Sequence, residues 1–410
     1  MRREARDLHD VLVPCALIGP DRSDFDGEVR NGMMRGDLRI DGDRVTGLRP
    51  SRRPTTPRVI LPPLVDPHVH LDKCHTIDRL TDVGGDLEAA IAAQARDKIR
   101  WTEDDIRQRA NRGLSELVAS GVRMARSHVD WSETSTPPLA WSVLSELARD
   151  TSGQLRVDLA ALTGVDQLAD ATMAHDIARM VAATGGTLGS FVLGQDTLED
   201  GIRNAFAMAN QFGLTLDFHV DEGLDPTLNG LERIAEIAID MHHEGPVLCG
   251  HACSVMNRSG ADLDRLLDVI ARAGLHVVAL PVTNLYLQAR GAGTPDRRGI
   301  TRIREMLTRG IPLSLGSDNV RDAFCPLGQH DPLAALHLAS LTAHLDPPFD
   351  RWLPLVTSNA ACALGQDPVW IKGARVDDLL ISPARDLTEL LAGQSGPLTS
   401  LFPTPEVQSA

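Results

Sequence analysis

The segment Val65-Asp66-Pro67-His68-Val69-His70-Leu71-Asp72-Lys73-Cys74-His75 places three histidines within eight residues. His68 and His70 stand two apart behind an apolar run at residues 59–65. On an extended strand, side chains two apart share a face, so both imidazoles can converge on one ion. Imidazole and carboxylate ligands with one position left for water make a catalytic zinc- or iron-type centre. In a chain with 14 histidines the pair alone is weak evidence, and its partners must come from elsewhere.

Further chemistry-bearing residues follow other short apolar runs: His128 and Asp130, His219-Val220-Asp221-Glu222, His251, and Gly316-Ser317-Asp318-Asn319. Adding His219 and Asp318 to His68 and His70 gives three nitrogens and one oxygen, a set suited to one divalent transition metal. Read singly, each has a plainer meaning. His128 reads as a hydrogen-bonded structural residue, His251 fits either reading, and Gly316-Ser317-Asp318 could open a helix. His75 lies past the strand, in a loop, as a pocket-lining or exposed residue, and Lys73 would orient that loop through salt bridges. Cys249 and Cys253 flank His251 as small buried residues. The four-part set gains weight because every member closes an apolar run, in consistent order.

The elements that must position these residues alternate regularly. Strand candidates cover residues 59–65, 122–127, 155–162, 187–193, 214–218, 246–249, 276–280 and 311–315. Helical spacing of apolar residues lies between them, over 198–212, 231–242 and 261–273, with a capping-box start at Thr102-Glu103-Asp104-Asp105 for a helix over 102–118. Strand–helix alternation counted eight times predicts an α/β chain folded as a (β/α)8 TIM-like barrel, whose chemistry sits at the C-terminal strand ends. Residues 36–48 read as a hairpin around Asp41-Gly42-Asp43, and residues 374–382 as a returning strand. These predict a small β-sandwich domain built from both chain ends, residues 1–58 plus 365–410, beside a barrel at 59–364. The tail from residue 396 is expected to be loosely ordered.

Composition bounds the function. The net charge of −15 argues against nucleic acid or an anionic membrane as partner. No run reaches the ~18 apolar residues of a membrane span, and no apolar leader follows Met1-Arg2-Arg3. The six cysteines form no Cys-x-x-Cys pair, so a reducing, cytoplasmic setting is expected.

The motifs together resemble the amidohydrolase superfamily, and more narrowly its cytosine deaminase-like branch. The likeness spans about residues 36 to 385. It rests on the opening histidine motif, on Ser127-His128-Val129-Asp130 and on His219-Val220-Asp221-Glu222. It rests further on Pro281-Val282-Thr283-Asn284-Leu285-Tyr286-Leu287-Gln288-Ala289-Arg290 with Arg297 to Arg302, and on Gly316-Ser317-Asp318-Asn319-Val320-Arg321-Asp322 running to Pro326-Leu327-Gly328. The resemblance implies a hydrolase of carbon–nitrogen bonds other than peptide bonds, with metal ligands His68, His70, His219 and Asp318 and a metal-activated hydroxide as nucleophile. Ammonia would leave from an aminated N-heterocycle, a cytosine-like pyrimidine or related ring. Glu222 would protonate the ring nitrogen, His251 would orient the nucleophile and the developing alkoxide, and Asp318 would also accept a water proton. Binuclear members of the superfamily carry a carbamylated lysine on the fourth strand. The only lysines here are Lys73, Lys98 and Lys372, so one metal ion, Zn2+ or Fe2+, is expected. The family is commonly homo-oligomeric.

Two positions depart from the cytosine enzymes. Thr163 stands where they carry a ring-reading glutamine, and Asn319 where they carry a second aspartate. Thr163, Asn319 and Phe324, an aromatic wall, are the expected substrate contacts. Loss of two polar contacts argues against cytosine itself, because unpaired buried polar groups discriminate strongly. Cleavage of a cyclic amide, or of an alkylamino substituent on a triazine-like ring, is the second enzymatic reading. A catalytically inactive scaffold is the third, opposed by the retained ligands, Glu222 and His251.

Overall fold

The computed structural model describes residues 7–81, 83–131, 133–291, 297–394 and 396–401. The first six residues, and the tail expectation from residue 402 onward, lie outside them. Fifteen strands are present among the described residues: β1 Leu8–Pro14, β2 Glu28–Arg30, β3 Met33–Asp41, β4 Arg44–Arg49, β5 Arg58–Leu61, β6 Leu64–Val69, β7 Val122–Asp130, β8 Arg156–Gly164, β9 Thr187–Val192, β10 Leu216–Val220, β11 Val247–His251, β12 His276–Ala279, β13 Leu313–Leu315, β14 Leu380–Ser382 and β15 Thr399–Ser400.

Strands β6 to β13 form an eight-stranded sheet in sequential order, parallel at every pairing. Short apolar strands separated by amphipathic helices dictate this. Each helix buries one stripe on the sheet, and the right-handed crossover brings the chain back to the next parallel strand. Helix Glu103–Ala119 starts as its capping signature predicts, with the Thr102 hydroxyl accepting from Asp105 N at 3.3 Å. The ring closes where Asp318 N donates to His68 O at 2.9 Å, joining the ends of the first and last barrel strands.

The second sheet has seven strands in the order β15-β14-β5-β1-β3-β2, with β4 beside β3, and so draws on both ends of the chain. The hairpin read at residues 36–48 is β3–β4, and Gly42 at its turn has φ 62°. The apolar run at 59–65 divides between the two sheets. Pro62 and Pro63 carry no N–H and cannot hold a ladder, so residues 58–61 pair with β1 and β14 while Leu64 onward enters the barrel. The returning strand narrows to Leu380–Ser382, and Thr399–Ser400 pairs against it. One continuous cluster of buried aliphatic side chains, from Val11 and Leu38 to Leu216 and Leu313, packs against both sheets. No helix among the described residues is long and apolar enough to cross a membrane.

Candidate active site

His68 lies on β6 with His70 immediately beyond it, His219 lies on β10, His251 ends β11, and Asp318 follows β13. All five are at most 6 % exposed. The Nε2 atoms of His68 and His219 are 3.0 Å apart, and those of His219 and His70 are 3.3 Å apart. Asp318 Oδ1 lies 3.3 Å from His70 Nε2 and 3.6 Å from His68 Nε2. Around an ion bound at about 2.1 Å, ligand atoms fall about 3.0–3.4 Å apart, a range that three of these four separations meet. Neither Asp318 oxygen receives a well-formed hydrogen bond, although both are buried. A buried carboxylate without donors is costly unless a cation accompanies it. Burial first, and then the neighbouring imidazoles, holds His68 and His219 far below the ordinary histidine range. They are therefore neutral at pH 7, as metal ligation requires.

The backbone around this cluster is specialised. Glycine at 250 and 316 makes room for His68: a Cβ at Gly250 would lie 2.8 Å from His68 Cε1, and one at Gly316 would lie 2.9 Å from His68 Cβ. Asp221, His251 and Asp318 take left-handed φ of 51°, 67° and 65°. Such residues cost of order 1–3 kcal/mol each and persist only when their surroundings hold them. Asp221 is held by Gly230 N at 2.9 Å, Leu231 N at 3.2 Å and the Ser254 hydroxyl at 3.0 Å, all donating to its carboxylate. Across the barrel seam, Ser317 donates through Oγ at 2.6 Å and through N at 3.1 Å to the fully buried Asp66. Removing that hydroxyl in Ser317→Ala leaves a buried acceptor unpaired. The substitution should cost about 1–3 kcal/mol, read as a lower Tm and weaker metal retention.

Glu222 follows β10, and its Oε1 lies 3.5 Å from His251 Nδ1. Burial, with Asp318 adding to it, pushes the Glu222 carboxyl up to about 7, against the opposing pull of His251 and Lys73. His251 Nδ1 also lies 3.0 Å from Asn284 Oδ1, a bond in which the ring N–H donates, and Nε2 is buried without a partner. Asn284 fell inside a motif legible in the sequence, but its bond to His251 did not.

His128 is fully buried, with its ring centroid 4.0 Å from that of His68 and its Nε2 3.2 Å from Asp217 Oδ2. Arg126 donates to the same oxygen at 3.0 Å. Neither ring nitrogen of His128 makes a well-formed hydrogen bond, so the hydrogen-bonded role expected from the sequence is not what is seen, and the ring groups with those of His68, His70 and His219. His75 is held apart, sharing Glu116 Oε2 with His330 at 3.0 and 3.1 Å. Lys73 is buried, donates to Asp130 Oδ1 at 2.6 Å, and stands 5.0 Å from the centre of the Phe324 ring. Burial opposes its charge, but Asp130 and Asp72 hold the ammonium above its ordinary range.

The three expected substrate residues are bound up in local structure. The Thr163 hydroxyl donates to Gly189 O at 2.8 Å. Asn319 Nδ2 donates to Asp322 Oδ2 at 2.7 Å, and Asp322 Oδ1 accepts from Phe324 N and Cys325 N at 2.9 and 3.0 Å. Asn319 thus fixes the loop that carries Phe324, whose ring packs with Ala90, Ala93, Leu287 and Ala323.

A (β/α)8 barrel whose strand ends gather imidazoles and a carboxylate has the fold and donor set of a metal-dependent barrel enzyme. The model of the amidohydrolase family matches residues 83–375, and the chain belongs to that family, as a hydrolase acting on carbon–nitrogen bonds. Pterin deaminase of Rhizobium rhizogenes is 29% identical over 398 residues, covering 94% of this chain and 90% of its own length. N-isopropylammelide isopropyl amidohydrolase of Pseudomonas sp. is 21% identical, covering 83% of this chain and 87% of its own. The crystal structure of 5-methylcytosine deaminase from Klebsiella pneumoniae with 5-fluorocytosine superposes with a TM-score of 0.78 at 24% identity, covering 94% of this chain and 98% of that one. That last likeness is one of fold.

Proposed function

We propose that this protein hydrolytically deaminates an aminated N-heterocycle, using one Zn2+ or Fe2+ ion held by His68, His70, His219 and Asp318. The observation that carries the reading is the convergence of those four buried side chains at ligand spacing, with Glu222 and His251 beside them. When bound, the ion supplies a Lewis acid and a water acidified toward neutrality. Glu222 takes one proton from the attacking water and places it on the ring nitrogen next to the amine-bearing carbon. His251, with Nδ1–H committed to Asn284, turns Nε2 toward the attacking water and the oxygen forming on that carbon and orients both. The second water proton reaches the exocyclic nitrogen, the carbon–nitrogen bond breaks, and ammonia leaves a ring carbonyl behind. Asp318 would serve as ligand and as the acceptor of that second water proton on its way to the exocyclic nitrogen.

The pterin deaminase relative makes a pterin-like ring the first compound to try, and the isopropyl amidohydrolase relative keeps alkylamino triazines on the panel. Ammonia release across amino-pyrimidines, triazines and pterins tests the proposal, and alkylamine release in its place would support the second reading. For the active ring, kcat/KM should fall on the acid side as Glu222 takes up a proton. The carboxyl titrates near 7 without metal, and a bound cation favours the ionised form, so the acid limb should lie at or below pH 7. Absence of any acid limb below pH 7, in protein that keeps its fold and its metal, would remove Glu222 from the proton path. A cytoplasmic homo-oligomer is the proposed setting. The six cysteines are all unpaired, which suits a reducing compartment.

A further inference from the structure

Helix Leu87–Lys98 follows the first barrel strand and buries Ala90, Ala93, Gln94 and Asp97 on one face. Ala90 and Ala93 pack on Phe324 and Leu287, which follow the C-terminal ends of β13 and β12. One turn beyond Gln94, Lys98 Nζ donates to Asp130 O at 3.3 Å, at the C-terminal end of β7. Gln94 shares the buried face of this helix with Ala90 and Ala93, one turn before Lys98, and Lys73, three positions after His70, reaches both Asp130 and Phe324. The helix thus meets residues at and beyond the C-terminal ends of three barrel strands, the end at which His68, His70, His219 and Asp318 lie.

Asp97, on the same face, is fully bonded to Arg79, Arg100 and Trp101. Gln94 is not. It is 3 % exposed, and neither Nε2 nor Oε1 has a partner. An apolar residue would suit a purely structural role better, because a buried amide without partners is penalised. A carboxamide presents an acceptor and a donor side by side, the complement of a ring carbonyl next to a ring N–H.

We propose that Gln94 is a specificity-determining residue that pairs through its amide with the lactam edge of the substrate ring. The substrate class is then an amino-oxo heterocycle, in which a ring carbonyl adjoins a ring N–H. The inference rests on the deaminase reading. The reacting amidine carbon must face Glu222, so the edge left for Gln94 is a different one.

The test compares wild type with Gln94→Leu and Gln94→Glu on the most active amino-oxo ring of the panel and on the same aminated ring lacking the oxo group. The wild type should prefer the amino-oxo ring. Gln94→Leu should lower kcat/KM on it by roughly 10- to 100-fold, mainly through KM, and reduce the preference to near unity. Gln94→Glu, which keeps the acceptor and loses the donor, should fall between. Metal content should stay at the wild-type level, and Tm should stay level or rise in Gln94→Leu, because an unpaired buried amide has been removed. Loss of activity equal on both rings, activity within about threefold of wild type, or a lowered Tm with loss of metal would each overturn the proposal. A wild type that releases ammonia from no ring overturns the deaminase reading and this inference with it, whereas an active wild type with an indifferent Gln94→Leu overturns this inference alone.

Discussion

Glu222→Gln should retain its metal and lower kcat by about 10²- to 10⁴-fold, the range of a lost general acid–base group. The side chain keeps its volume and loses only the ability to carry a proton between water and ring. KM should change little, because the amide can still contact the ring nitrogen. The acid limb of the pH profile should vanish with it. A stability effect of defined sign accompanies the kinetic one. The carboxyl is raised from 4.5 to about 7 in the folded protein. Between those values the folded state holds a proton that the unfolded state has released, so stability falls as pH rises through that window and is lowest above it. Metal-free Glu222→Gln escapes the penalty. It should melt above the metal-free parent at pH 8, with the difference closing below pH 4.5. Full turnover by Glu222→Gln at wild-type metal content would end the proton-carrier assignment.

What could be read from the chain follows from how local each signal is. His68 and His70 were legible because strand alternation is a period of two, and the prolines at 62, 63 and 67 punctuate the segment. His219 and Asp318 were legible by their place at the ends of apolar runs, as were the eight barrel strands. Partnerships across long stretches were not. Ser317 bonds Asp66 from 251 residues away, and Asn284 meets His251 across 33. Thr163 and Asn319 were noticed as positions. Their hydrogen bonds, to Gly189 O and to Asp322, emerge only when neighbouring strands and turns are laid side by side. Gln94 was invisible for a different reason. A glutamine in a helix of low amphipathicity looks like surface, and only packing against Phe324 and Leu287 puts that face inside.

Removing the metal should have the largest effect of all, and His219→Ala is the sharpest genetic form of it. His219 Nε2 is the atom shared by both close imidazole contacts, 3.0 Å to His68 and 3.3 Å to His70. Without it, three donors remain around an opening, and Lewis-acid stabilisation worth several kcal/mol is lost. Turnover should drop by about 10³-fold or more. The fold should survive, because the aliphatic cluster that ties the barrel together is independent of the histidines. Circular dichroism and Tm should therefore remain close to those of the metal-free parent. Chelation of the wild type should reproduce the loss, and readdition of Zn2+ or Fe2+ should reverse it only where His219 is present. Elemental analysis of active protein should find one ion per chain. Strand β9, Thr187–Val192, contains no lysine to bridge a second. His128, the further imidazole that groups with His68, His70 and His219, lies 3.2 Å from Asp217 Oδ2, an oxygen that Arg126 also reaches. His128→Ala should accordingly lower Tm while leaving one ion bound, the opposite pattern to His219→Ala. Two ions per chain at full activity would overturn the mononuclear reading, and full activity in chelated protein would overturn the metal centre itself.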